Sequence, residues 1–237
     1  MPIVVTPLGA VQDKSVGAVN LPVGVLAAGG VLVICLAHDD VSGVTPYWLY
    51  DGTNSQSDWS DNVSVTNTSH CRLHIVSLVN IIAGTVASFI RIGAYSAGEA
   101  VAFSAYYITG LSAIPFDKSS TGNNSGITAS TGATAVLTQA DEVAIAATAV
   151  EDEVDDAHGS WTTGAGDVSG NEQFAATNGG SDSSNIQCHS VARIVSATAA
   201  LQGVDGAHDS TSWVAAIATY KGLYVAPRFA YQKILAH

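Results

Sequence analysis

Short runs rich in Val, Ile, Thr and aromatic residues follow one another along this chain, separated about every ten residues by clusters of Gly, Asn, Asp or Ser. That rhythm is the signature of β-strands joined by turns, and no long stretch carries the apolar period of an amphipathic helix. From Gly30 to Ala37 both parities are apolar, which predicts a strand buried on both faces, ended by Asp39-Asp40. Ser212 to Tyr220 behaves in the same way. Trp213, Ala215 and Ile217 lie on one side and Val214, Ala216, Ala218 and Tyr220 on the other, which marks a central strand. Further strands are predicted at Thr45 to Tyr50, Val63 to Asn67, Arg72 to Val79, Ser88 to Tyr95 and Ala100 to Thr109, with a tight turn at Asp51-Gly52.

Two core-type stretches, Val143 to Val150 and Val191 to Leu201, are unusually rich in Ala. Helix propensity alone would allow a short helix at Ala144 to Val150. A turn at Gln139-Ala140-Asp141 and the β-branched Thr148 and Val150 favour a strand. Alanines bury little area each, so close sheet packing or a neighbouring subunit is expected to make up the difference. Lys118 to Thr134 is almost entirely Ser, Thr, Gly, Asn and Ala and is expected to be a long surface loop or an edge ribbon. Gly164 to Asn185 frames Gln173-Phe174-Ala175-Ala176 with similar composition. The pattern as a whole predicts an all-β antiparallel sandwich of two apposed sheets over residues 1–222 with long polar loops.

Beyond Gly222 the character changes. Tyr224, Arg228, Phe229, Tyr231 and Lys233 make an aromatic, basic segment on a chain with 8 Lys plus Arg against 20 Asp plus Glu, a formal net charge of -12. Residues 223–237 are therefore expected to be either an arm that docks on the acidic surface of a neighbouring subunit or a last strand with a frayed end. An acidic surface repels phosphate backbones, so nucleic acid is not an expected partner. The start of the chain lacks the charged and apolar regions of a secretory signal, and no apolar run reaches the ~20 residues of a membrane span, so a soluble protein with no membrane partner is expected.

Residues capable of chemistry are few and poorly spaced. His70, Cys71, His74, Cys188 and His189 are the types that bind zinc. On a strand, however, His70 and Cys71 point to opposite faces and His70 and His74 lie roughly 13 Å apart, so local spacing builds no site. The odd cysteine count argues against a disulfide framework, while a single Cys71–Cys188 bridge is compatible with the sequence. Glu151-Asp152-Glu153-Val154-Asp155-Asp156, followed by His158, lacks the spaced pattern of a calcium loop and reads first as a solvated acidic loop. No GxSxG elbow or dinucleotide fingerprint occurs. No cofactor, metal or catalytic residue is assigned. Trp59 and Trp161 stand in polar surroundings, where each could stack on a sugar; Trp59 could equally anchor its loop.

From about Gly98 to Lys221 an ordered series of segments carries a family resemblance. The series begins with Ser104-Ala105-Tyr106-Tyr107-Ile108-Thr109-Gly110-Leu111, Pro115-Phe116-Asp117 and Thr138-Gln139-Ala140-Asp141-Glu142-Val143. It continues with Trp161-Thr162-Thr163-Gly164, Ile194-Val195-Ser196-Ala197-Thr198 and Trp213 to Lys221. In these the chain resembles a β-sandwich family of structural proteins from tailed-bacteriophage virions. The resemblance implies a jelly-roll-like virion protein, made in the host cytoplasm, with no catalytic residues to transfer. The expected function is an accessory head-decoration or capsid-stabilising subunit, non-enzymatic, whose partners are other copies of itself and other virion proteins. The alternative is a tail- or fibre-associated module that binds host glycan through Trp59 and Trp161. A glycan-cleaving enzyme would need a converging carboxylate pair.

Overall fold

A computed structural model describes residues 1–13, 18–39, 47–50, 59–67, 71–81, 89–93, 100–151, 161–163, 172–176 and 185–223. Among these residues the secondary structure is β-strand, with no helix. In chain order the first eight strands are β1 Val4–Asp13, β2 Ala18–Pro22, β3 Val31–Asp39, β4 Tyr47–Tyr50, β5 Trp59–Asn67, β6 Cys71–Leu78, β7 Phe89–Gly93 and β8 Val101–Thr109. The remaining six are β9 Leu111–Ala133, β10 Glu142–Glu151, β11 Thr162–Thr163, β12 Glu172–Ala176, β13 Ile186–Val195 and β14 Gln202–Gly222.

All pairings are antiparallel, and they form three sheets. The first has the order β1-β8-β3-β6-β5, and the second, smaller one β2-β7-β4. The third runs β11-β14-β10-β13-β12, with β9 added to β14. In the N-terminal half the pairs β1 with β8, β2 with β7 and β3 with β6 are nested, each strand meeting a partner equally far from the midpoint of the series. A long hairpin wound up on itself produces this nesting.

Apolarity on both parities has a direct cause: the first sheet lies between the other two. Leu32, Ile34 and Leu36 of β3 face the small sheet, packing with Val76, Leu78 and Phe103 against Ile90 and Ile92. Each of those three β3 residues is completely buried, which contributes roughly 1.5–3 kcal/mol per side chain. The opposite parity, Val33, Cys35 and Ala37, packs with Leu73, Ile75 and Tyr106 against Ile145, Ala147, Ala149, Ala216 and Ala218 of the third sheet. Alanines on that face let the two sheets approach closely, as sheet stacking requires.

The third sheet is covered on its outer side too. There Ala144, Ala146, Val191 and Ile217 lie under Leu137, Trp161 and Leu201, so all ten residues of β10 are buried. The cover is the far part of the β9/β14 ribbon, which doubles back over the sheet it belongs to. A side chain at Gly122 would overlap the Ser130 carbonyl oxygen, and one at Gly203 would press on Trp161 and Ala146. Glycine at both positions permits the fold-over.

The antiparallel sandwich agrees with the reading of the sequence, as do the doubly buried β3 and the central segment of β14. Two expectations need correction, and one open alternative is decided. There are three stacked sheets where two were expected. Of the two readings of Lys118 to Thr134, the edge ribbon holds: the segment is most of a 23-residue strand, held by pairing with β14 from Leu111 opposite Gly222 to Ala133 opposite Gln202. The Ala-rich stretch Val191 to Leu201, expected as core, is strand only as far as Val195, and residues 196–200 are exposed. Asp51-Gly52 lies outside the described residues.

Candidate interaction surface

Polar residues form β9 because β14 supplies the pattern. The inward side chains Val214, Ala216 and Ala218 pair with Asn123, Thr121 and Ser119, so β9 needs only backbone hydrogen bonds and β-compatible Ser, Thr and Asn to extend the sheet. Ser119, Thr121, Asn123, Asn124 and Ser125 are exposed. Among the described residues β9 pairs with β14 alone. Its neighbour across the sandwich is β5, the edge of the first sheet. Asn123 donates through Nδ2 to the Thr66 carbonyl at 2.9 Å, and Asn67 through Nδ2 to the Asn124 carbonyl at 3.2 Å. These residues, with Ser125 and Ser212, line a small polar cleft of about 250 Å³.

At the other end of the third sheet a groove of about 490 Å³ runs between Met1, Ile3, Asp141, Ile194 and Leu223. Leu223 and Ile194 are about half exposed there, and the chain passes from this groove into residues 224–237. Ile114, Ile127 and Val136 are also strongly exposed. Single exposed apolar residues are ordinary.

Ionisable and nucleophilic groups are used inside the fold. Ser190 Oγ lies 2.5 Å from Ser104 Oγ and 2.9 Å from the Tyr106 hydroxyl, all buried between the first and third sheets. His189, the preceding residue, points to the opposite face. There its Nδ1 lies 3.0 Å from the buried Asp205 carboxylate, and its ring sits 5.8 Å from that of Trp161. A serine, a histidine and an aspartate are thus neighbours in sequence or space, but the sheet itself separates the hydroxyl from the His–Asp pair, so they cannot act as a nucleophilic triad. At the rim of the small-sheet seam, His74 Nδ1 meets Asp61 at 2.9 Å and stacks on His38.

One carboxylate pair was not foreseen. Asp117 of β9 accepts hydrogen bonds from the Thr138 N–H at 2.9 Å, the Thr138 hydroxyl at 2.8 Å and Lys118 Nζ at 3.2 Å. Burial alone would raise its pKa, but these donors outweigh burial and hold its carboxyl below the ordinary value. Beside it Glu142 is completely buried, and neither of its oxygens completes a hydrogen bond of good geometry. Burial first, and the Asp117 charge second, push it up to about 7. The sequence did hold a signal: Glu142 shares the parity of Ala144 and Ala146, a face that the alanines mark as buried.

The expected sugar platforms are corrected outright. Trp59 is 7% exposed and packs in the small-sheet core, and Trp161 is 0% exposed beneath the folded-over ribbon. Each ring is an anchor, and neither presents a face on which a sugar could stack. Cys35, Cys71 and Cys188 are all free thiols in one core cluster, so the Cys71–Cys188 bridge is not formed. Burial pushes Cys188 up to about 12 and, with Cys188 as the next cause, holds Cys35 well above its usual value; such thiols are inert. Among the described residues no group of three or more His, Cys, Asp or Glu side chains converges as a metal site. His70, Asp152 to His158 and the segment bearing Tyr224, Arg228, Phe229, Tyr231 and Lys233 lie outside the described residues. No helix among those residues is long and apolar enough to cross a membrane. No protein-family model matches the chain, and no curated protein matches it.

Proposed function

We propose that this chain is a non-enzymatic structural subunit of a tailed-phage virion, and within that class an accessory head protein that stabilises the capsid through contacts between subunits. The observation that carries the reading is the contrast between interior and edge. Buried hydroxyls tie the first sheet to the third and a buried His189–Asp205 pair ties strands of the third sheet, while the long β9 edge and the groove at Leu223 face outward among the described residues. A molecule arranged this way is suited to adhesion. The nested strand pairs of the N-terminal half support a jelly-roll reading, an architecture that serves capsid and lectin domains alike. The sequence resemblance to phage virion proteins supports the virion part of the reading. Loss of both tryptophan platforms weighs against glycan recognition.

Two measurements test the proposal. Purified protein is expected to self-associate in sedimentation experiments and to add to undecorated phage heads in a saturable way. Deletion of 223–237 is expected to leave the sandwich folded while weakening that addition. A chain that stays monomeric and fails to bind heads sinks the reading.

A further inference from the structure

We infer that the side of β9 over Ser119 to Asn123, with which no strand pairs among the described residues, is the surface by which two copies of this chain join, edge to edge and antiparallel, making one continuous sheet across the pair. The inference rests on the reading of this protein as a subunit that works through contacts between copies.

An edge strand presents a row of backbone N–H and C=O groups that will pair with any strand able to approach, and soluble proteins blunt such edges with charge, proline or bulges. Apart from the two-residue β11, the other edges of the two large sheets among the described residues are blunted in this way. β1 carries Pro7 and a register shift between Pro7 and Gly9. β5 carries Asp61 and a shift between Asp61 and Val63. β12 begins with Glu172. β9 has none of these protections where it is most regular. Its register against β14 is unbroken from Ser119 to Gly126, no charged residue occurs from Ser119 to Ala140, and no proline follows Pro115 until Pro227. Asn67 takes the Asn124 carbonyl, which sets one end of the open row.

Charge selects a second copy as the occupant. With a formal net charge of -12, two copies repel over most approaches, and the repulsion is least where a strip without formal charge meets an identical strip. A strand paired antiparallel with itself about a two-fold axis also satisfies both rows at once, since the same donors and acceptors face each other in reverse order. A basic partner would be drawn to the acidic surface and would gain nothing from this uncharged strip.

Sedimentation equilibrium of the full chain, compared with Thr121→Lys and with the control Ala135→Lys, tests the inference. Thr121 and Ala135 are both exposed, so circular dichroism should be unchanged in each variant. The wild type is expected to dimerise. Thr121→Lys should raise the dimer dissociation constant at least about tenfold, because it sets like charges on adjoining strands, and Ala135→Lys should leave it unaltered. A nitroxide at Thr121→Cys gives an independent readout, because the three native thiols are buried; close spin–spin broadening is expected in the dimer. A wild type that stays monomeric yet adds to phage heads overturns this inference and leaves the proposed function standing. A dimer indifferent to Thr121→Lys, or one whose labels lie far apart, overturns it as well. Failure of both self-association and head binding removes the broader reading.

Discussion

The two seams that enclose the first sheet are built from different materials. On the side of the small sheet the contacts are large and dry: Leu32, Ile34, Leu36, Leu78, Phe103 and Ile92 interlock with little polar content away from the rim. On the side of the third sheet small residues are interspersed among large ones such as Leu73, Ile75, Tyr106 and Ile145. Ala37, Ala102, Ala147, Ala149, Ala192, Ala216 and Ala218 set the spacing, and the Ser104–Ser190–Tyr106 hydroxyls lie among them. A seam of large residues draws its stability from area removed from water and suffers when a side chain is shortened. Where alanines meet in such a seam there is little area to lose, and specificity at those points rests on close approach and on satisfied polar groups.

The largest expected effect tests the dry seam. Phe103 is completely buried there, and Phe103→Ala should destabilise the protein by about 3–5 kcal/mol, read as a shift of the urea midpoint at unchanged slope. The converse change belongs to the other seam: Ala216→Leu forces extra methylenes between closely spaced sheets and should cost about 1–3 kcal/mol. If Phe103→Ala proves no worse than Ala216→Leu, the distinction between the two seams fails.

What could be read from the sequence follows the same division. β3 and the second half of β14 were legible because apolar residues at both parities admit few explanations other than burial on both sides. Two such strands already call for more than two layers, a consequence that the expectation of a simple two-sheet sandwich overlooked. β9 was legible only as a loop or an edge ribbon, with no way to choose between them, because its hydrophobic pattern resides in its partner β14 and its course depends on where Gly122 and Gly203 permit close approach. Trp59 and Trp161 misled for a related reason. A bulky ring between polar neighbours reads as exposed, yet one ring per polar segment is also how a strand or loop is pinned to a core. The Asp117–Glu142 pair brings together residues 25 positions apart through the course of β9, which local spacing cannot show.

Glu142 sharpens the comparison through pH, since the dry seam has no buried carboxyl and the cover of the third sheet does. The folded protein holds this carboxyl at about 7, against 4.5 ordinarily, so the folded state favours the protonated form. Below 4.5 both folded and unfolded chains carry the proton and the stabilisation is complete. Between 4.5 and about 7 the unfolded chain ionises first and stability falls; above about 7 the loss is finished, at roughly 3 kcal/mol. Asp117, whose carboxyl lies below 3.8 when folded, acts with opposite sign and only in more acidic solution. Glu142→Gln should therefore flatten the fall in the urea midpoint between pH 4.5 and 8. A variant that keeps the wild-type slope would show that Glu142 does not hold its proton in the fold.

The smallest effect concerns the hydroxyls of the alanine seam. Ser190→Ala takes a buried partner from both Ser104 and Tyr106 and should cost about 1–2 kcal/mol, because a polar group that has left water and lost its partner keeps the full penalty of desolvation. Removing the whole cluster, as Ser104→Ala, Tyr106→Phe and Ser190→Ala together, leaves an apolar seam of nearly the same shape and should recover most of that loss. The comparison of single and triple variants by urea denaturation separates two roles for these hydroxyls. If the triple variant is as stable as the wild type, the hydroxyls fix the register of one sheet on the other without adding to the stability of the stack. If its losses simply add, each hydrogen bond contributes in its own right, and the alanine seam depends on polar contacts as the dry seam depends on area.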